Sequence, residues 1–149
     1  MARVAYNASV KKFVSDWDTN QFMDIMCNGA ALNRIGGSVS EKKSWEANAS
    51  KIRSLISLSH LPDDTEVAFE YKCPLSGRID CMLFGYGKDN KKHIVHIEMK
   101  EAPGSHYGAP KVRSHMGHGD VRSKKVIRME DLEGFSDDLI ETVKMILSR

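Results

Sequence analysis

The sequence predicts an α/β fold of the α+β type, with helices at the start and an antiparallel meander in the middle. Apolar residues recur at helical spacing through much of the first 58 residues. Three strand-like runs follow at 65–72, 78–84 and 93–100, separated by segments rich in the Gly, Pro, Asn and Asp typical of turns. Short turns join antiparallel neighbours, so these strands are expected to lie side by side in chain order.

The first 39 residues are predicted to form a helical N-terminal extension. Val10 and Phe13 lie at helical spacing, and a second apolar stripe begins at Phe22. Residues 18–20 are polar and form the break between the two helices.

A longer helix is predicted from residue 40 to residue 58. Ser38 and Glu41 have the spacing of a capping box, and Trp45 and Ile52 lie on the apolar stripe that follows. Glu41 is then half of the cap. A second role, compatible with the first, is that of an acid directed at an active centre.

Two turns decide which residues of the three strands lie opposite each other. If the second hairpin is symmetric about Asp89, Asp80 lies opposite Glu98. If the first turn centres on Leu75, Glu70 lies opposite Asp80. A slip of one residue would move Glu70 to the other face of the sheet.

Carboxylates on adjacent strands repel each other unless a cation lies between them. Lys100 shares a face with Glu98 and is one candidate for this cation, and a divalent metal ion is the other. The alternative is an inert salt-bridged cluster that includes Arg78. Exposed ion pairs contribute little to stability, so a metal site is the better explanation for so many acids.

After residue 100 the periodicity weakens. The sequence predicts a long loop at 102–122, a short strand at 125–129 and a final helix that is N-capped by Ser136. Long loops in compact domains are usually functional or mobile.

The positive charge of the chain is concentrated in residues 88–128, which carry ten Lys and Arg against four Asp and Glu. Such a block can neutralise a phosphate backbone and is expected to form one rim of a nucleic-acid groove, although a solvent-exposed basic loop is the alternative. The candidate phosphate contacts are His96, Lys111, Arg113, Arg122, Lys124 and Lys125.

Histidines in the same block raise the alternative of a zinc site. His115 and His118, with Asp120 or His106, could supply ligands. Their spacing, in a glycine-rich segment without cysteine, is a poor match to structural zinc sites.

Length and composition predict a single intracellular domain. A chain of 149 residues fits one domain, residues 1–149. No stretch approaches the roughly 18 apolar residues of a membrane span, and the N-terminus lacks the apolar run of a signal peptide. A cytoplasmic location, three reduced cysteines and no membrane partner are therefore expected.

Asp80, Glu98 and Lys100 together resemble the D...E-x-K signature of the PD-(D/E)XK, or restriction-endonuclease-like, nuclease superfamily. Between residues 6 and 100 the chain also resembles the N-terminal nuclease-like domain of a prokaryotic family. In that family a P-loop, helicase-like ATPase usually follows. The segments that carry the resemblance are 40–49, 61–64, 69–80 and 97–100.

The resemblance implies a restriction-endonuclease-like core at residues 40–100. In such a core a mixed central sheet contains an antiparallel three-strand meander flanked by helices. Residues 101–149 depart from the family pattern. The helix and strand that complete the core are therefore expected from residues 124–149 or from a second subunit, as in a homodimer.

The resemblance also implies a catalytic site for Mg²⁺ or Mn²⁺. Asp80, Glu98 and the backbone carbonyl of Met99 would be the ligands, and Glu70 would complete the set or hold a second ion. Lys100 would orient or deprotonate the attacking water, or stabilise the transition state.

The expected function is hydrolysis of nucleic-acid phosphodiester bonds, with DNA favoured over RNA as the partner. The competing hypothesis is a non-catalytic module that binds nucleic acid or protein through the same fold. A third is a structural or regulatory interaction domain.

Overall fold

The computed structural model describes residues 3–74, 77–98, 111–116, 125–128 and 137–147. In chain order the elements are β1 (Arg3–Ser9), α1 (Val10–Asp18), α2 (Phe22–Leu32), α3 (Val39–Ser59), β2 (Glu66–Lys72), β3 (Arg78–Tyr86), β4 (Lys92–Glu98), β5 (Lys111–Met116), β6 (Lys125–Arg128) and α4 (Asp137–Ile146). Helices and strands are segregated, which confirms the α+β class.

The strands form one six-stranded sheet in the order β1-β2-β3-β4-β5-β6. Each described strand is antiparallel to its neighbours. The predicted meander of β2, β3 and β4 is confirmed. The predicted mixed sheet is not seen, because no parallel pair occurs among the described strands.

The N-terminal extension is not wholly helical as predicted, since its first element is the strand β1. Val4, Tyr6 and Ala8 alternate along it, and Tyr6 lies opposite Phe69 of β2. Tyr6 also contacts Phe22 of α2, with ring centroids 4.8 Å apart. The alternation over so short a segment is outweighed in the sequence by the helical stripe that follows it.

The helix α2 lies against β1, at the edge of the sheet. Gly29 permits this approach, because a Cβ atom at that position would lie 1.9 Å from the carbonyl oxygen of Ala5. A helix over an edge strand protects it from pairing with another chain.

The helix α3 begins as predicted. Ser38 is its N-cap, and the reciprocal hydrogen bonds of a capping box join Ser38 and Glu41. His60 ends the helix in the left-handed conformation. Trp45 and Ile52 are buried as expected.

The predicted strands agree with β2, β3, β4 and β6 to within two residues at the ends that the structure describes. The prediction of an unbroken loop at 102–122 is wrong, since β5 occupies part of it. Lys111, Arg113 and His115 alternate there with Val112 and Ser114, a period of two that the surrounding glycines and prolines obscure.

The hydrophobic core lies between one face of the sheet and the helices. Two rows of opposed residues cross β2, β3 and β4 and are fully or almost fully buried. They are Val67, Leu83 and Val95, and Phe69, Cys81 and Ile97. Buried residues of all four helices join this cluster. No helix in the described part of the chain has the length and apolarity needed to cross a bilayer.

Candidate functional site

The register of the sheet brings three acidic positions into one row. The described β3–β4 pairing ends with Cys81 opposite Ile97, and extending that register by one residue places Asp80 opposite Glu98. Glu70 and Asp80 are likewise bracketed by opposed neighbours on β2 and β3. We call Glu70, Asp80 and Glu98 the acidic row. Both predicted symmetric turns are therefore confirmed in register.

Glu70 departs from ordinary strand geometry. Its φ of +54° lies in the left-handed region, which is rare for a residue other than glycine and costs free energy. The carboxylate accepts a hydrogen bond from the side chain of Trp45 on α3. With only 7% of the residue exposed, Glu70 is a buried acid.

The surroundings of Glu70 favour its protonated form. Burial is the main reason that the pKa of this carboxyl is raised to about 7, and the charges of Asp80 and Glu41 act in the same direction. Arg78 and the hydrogen bond from Trp45 oppose the increase. The site therefore holds an acid that is close to its titration midpoint at neutral pH.

Arg78 connects the acidic row to α3. Its Nη2 lies 3.0 Å from Oε1 of Glu41, and its Nε lies 3.7 Å from Oε2 of Glu70. Arg78 precedes Asp80 by two residues on β3, so both side chains leave the strand on the same side. The guanidinium is a fixed positive charge beside the acids, because arginine is not deprotonated in proteins.

Glu41 is held in place by the turn before α3. Its Oε2 accepts hydrogen bonds from the backbone N–H groups of Gly37 and Ser38. The Gly37 hydrogen bond, followed by the one from Arg78, holds the pKa of Glu41 below its ordinary value. Glu41 thus serves as cap and as anchor for Arg78, and its contact with the acidic row runs through Arg78.

The lack of a side chain at Gly36 leaves room for the Glu41–Arg78 ion pair. Its φ is +44°, and a Cβ atom there would lie 2.2 Å from Oε2 of Glu41 and 2.8 Å from Nη1 of Arg78. A side chain at this position would therefore displace the pair.

The row continues beyond the acids into basic strands. Lys111 of β5 lies opposite Glu98, and Arg128 of β6 lies opposite Lys111. Two residues further along each strand, Arg113 lies opposite His96. Along this row of the sheet, the positions on β2, β3 and β4 are acidic and those on β5 and β6 are basic.

His96 also adjoins the acidic row. Its Nε2 lies 3.6 Å from Oε1 of Glu98, with most of the ring buried. The contact is an ion pair only when His96 is protonated.

The carboxylates of the acidic row belong to the donor type found in divalent-metal sites. Asp80 and Glu98 offer the hard carboxylate oxygens that Mg²⁺ prefers, and Mg²⁺ commonly uses one or two carboxylates and retains several waters. Across the described ranges, no group of at least three His, Cys, Asp or Glu side chains is arranged to hold a metal. Glu70 is instead engaged with Trp45 and Arg78. Within the acidic row, Asp80 and Glu98 are therefore the two acids whose oxygens have the donor chemistry that Mg²⁺ prefers.

The remaining predicted site residues divide into two groups. Lys111, Arg113 and Lys125 lie in β5 and β6. The others, with most of the alternative zinc ligands, lie outside the described residues: Met99, Lys100, Arg122, Lys124, His106, His118 and Asp120.

Two contributions to the site were not predicted from the sequence. Trp45 was expected only in the core, yet it also donates to Glu70. From the sequence, Arg78 is expected only as part of an inert salt-bridged cluster. The signal that could have identified it is its position two residues before Asp80, on the same side of β3.

Comparisons of this chain with protein-family models, with curated proteins and with solved structures found no match.

Proposed function

We propose that the protein is a metal-dependent nuclease that hydrolyses phosphodiester bonds of a nucleic acid. The observation that carries this proposal is the register of β2, β3 and β4, which aligns Glu70, Asp80 and Glu98 on adjacent strands. Such an alignment is costly without a cation, and it coincides with the residues that resemble a nuclease signature.

The roles of the residues follow from their chemistry. Asp80 and Glu98 would hold Mg²⁺ or Mn²⁺, together with the carbonyl of Met99. A bound ion supplies a more acidic water and offsets charge on the phosphate. Lys100, next in the signature, would orient the attacking water or stabilise the pentacovalent state.

Nucleic acid, with DNA favoured over RNA, would approach over the basic strands. Lys111, Arg113 and Arg128 occupy β5 and β6 beside the acidic row. Phosphate contacts release counterions, so binding should weaken steeply as salt rises. An affinity that is unchanged between low and physiological salt would argue for a protein partner.

The test is cleavage of single- and double-stranded DNA and RNA in Mg²⁺ or Mn²⁺. We expect cleavage of at least one substrate by the wild-type protein, and its loss in EDTA and in Lys100→Ala. Equal activity in Lys100→Ala would identify a contaminating nuclease. Absence of cleavage on every substrate, with no ion bound, would reject the proposal.

A second candidate is a non-catalytic module that binds nucleic acid. The observation in its favour is that Glu41 and Glu70 are already engaged by Arg78 and backbone or Trp45 donors. Under this hypothesis Asp80→Asn would leave salt-dependent DNA binding intact, and added Mg²⁺ would produce no cleavage.

A further inference from the structure

Arg78 occupies a place in the site that the metal-dependent reaction alone does not explain. Its guanidinium lies between Glu41 and Glu70, 3.0 Å from one carboxylate and 3.7 Å from the other. A divalent ion beside Glu70 would have to share this space with a positive charge that cannot be removed by deprotonation.

The orientation of Arg78 is set by α3 and the turn before it. Glu41 is fixed by the N–H groups of Gly37 and Ser38, and Gly36 leaves room for the ion pair where any side chain would not. A surface arginine that pairs by chance has no such support. The sequence therefore builds the guanidinium into the site.

We propose that Arg78 takes the place of a second metal ion. The protein then binds one divalent ion, at Asp80 and Glu98, and the guanidinium of Arg78 lies beside Glu70, where a second ion would otherwise bind. This inference rests on the proposed function and deepens it. Arg78 acts as a positioning residue that holds Glu70 away from the metal.

The charge of Arg78 disfavours a second ion. Its Nε lies 3.7 Å from Oε2 of Glu70, so a divalent ion held by Glu70 would lie beside a fixed positive charge.

The test is to count the Mn²⁺ ions bound per chain by calorimetry and by electron paramagnetic resonance. The variant is Arg78→Met, which keeps a long side chain and removes the charge. Arg53→Met is the matched control. Arg53 also pairs with a carboxylate at 3.1 Å, and its side chain is 25% exposed against 34% for Arg78.

We expect one ion in the wild type and in Arg53→Met. Arg78→Met should bind two ions, the first roughly tenfold more tightly than wild type because a nearby positive charge is gone. Two ions in the wild type, or one ion with unchanged affinity in Arg78→Met, would overturn the inference while leaving the metal site in place. No ion in any of the three proteins would remove the proposed metal site itself.

A second variant covers the case in which Arg78→Met does not fold. Glu70→Gln keeps the shape of the side chain and should still bind one ion within a few-fold of wild-type affinity, because Glu70 is not a ligand of that ion. Loss of the ion in Glu70→Gln would make Glu70 a ligand and overturn the inference.

Discussion

Asp16 and Glu70 are both buried acids, yet the fold treats them differently. Asp16, 3% exposed, accepts a hydrogen bond of 2.8 Å from Tyr6 and pairs with Lys12 at 2.9 Å. Glu70, 7% exposed, pairs with Arg78 at 3.7 Å and accepts a hydrogen bond from Trp45, but it has the acid Asp80 nearby and a left-handed backbone conformation. The first arrangement satisfies a carboxylate on an ordinary helix. The second combines a strained backbone with a carboxyl whose pKa is raised, and both features cluster at functional sites in folded proteins.

The largest expected effect is the loss of cleavage activity when an acid of the acidic row is replaced. For the proposed nuclease, Asp80→Asn and Glu98→Gln should each lower the cleavage rate roughly a thousandfold or more, because the two acids would act as a unit with the proposed metal ion. The double variant should be little worse than either single one. Cleavage rates under single-turnover conditions measure this.

The matched control is Asp18→Asn. Asp18 is a carboxylate paired with Arg53 on the helices, remote in sequence from the acidic row. Its loss should leave cleavage unchanged. A comparable decrease in Asp18→Asn would mean that the effect reflects general damage to the protein.

Asp16 should matter for stability and not for the site. Asp16→Ala leaves the buried hydroxyl of Tyr6 without its acceptor, and the free energy of unfolding should fall by about 2–3 kcal/mol. Urea unfolding measures the loss. In a double-mutant cycle, adding Tyr6→Phe to Asp16→Ala should restore part of the lost free energy of unfolding, because the unpaired hydroxyl of Tyr6 is removed. Additive losses would show that the hydrogen bond contributes nothing specific.

Glu70 should lower stability as the pH rises. Its pKa is raised to about 7 from an ordinary value of 4.5, so between these pH values the folded state binds more protons than the unfolded state. The stability contribution of Glu70 is therefore present below pH 4.5 and lost as the pH rises to about 7.

Glu70→Gln removes this titration. Relative to wild type, the variant should gain on the order of 2 kcal/mol between pH 4.5 and pH 8. Urea unfolding of both proteins in EDTA tests this, and the difference between them cancels the titration of the histidines. A constant difference across this range would mean that Glu70 titrates normally.

The sequence was most informative where local rules decide the outcome. The registers of β2 with β3 and of β3 with β4 agree with the symmetric hairpins that the sequence predicts, and Ser38 with Glu41 sets the start of α3. These features depend on residues close together in the chain, so pattern and spacing identify them.

What the sequence did not reveal depends on contacts between distant segments. The left-handed φ of Glu70 accompanies contacts with Trp45 on α3 and Arg78 on β3. The local sequence at 69–72 contains no signal for this conformation. The strand β1 is specified by its pairing with β2 and by the ring of Tyr6 among Phe13, Phe22 and Phe69. Tertiary contacts override local preference at such positions.

The smallest expected effect tests whether the turn before α3 shapes the site. Gly36→Ala introduces a Cβ at φ +44° that would lie 2.2 Å from Oε2 of Glu41. The left-handed conformation costs alanine about 1 kcal/mol more than glycine. The Glu41–Arg78 pair must also shift, because the flexible carboxylate of Glu41 is the group that can move away from the new Cβ. Gly77→Ala is the control, since a Cβ there meets no atom within 4 Å. If Arg78 needs this turn, Gly36→Ala should bind Mn²⁺ with altered affinity and Gly77→Ala should not. Identical Mn²⁺ titrations for both alanine variants would show that the position of Arg78 is set by β3 alone.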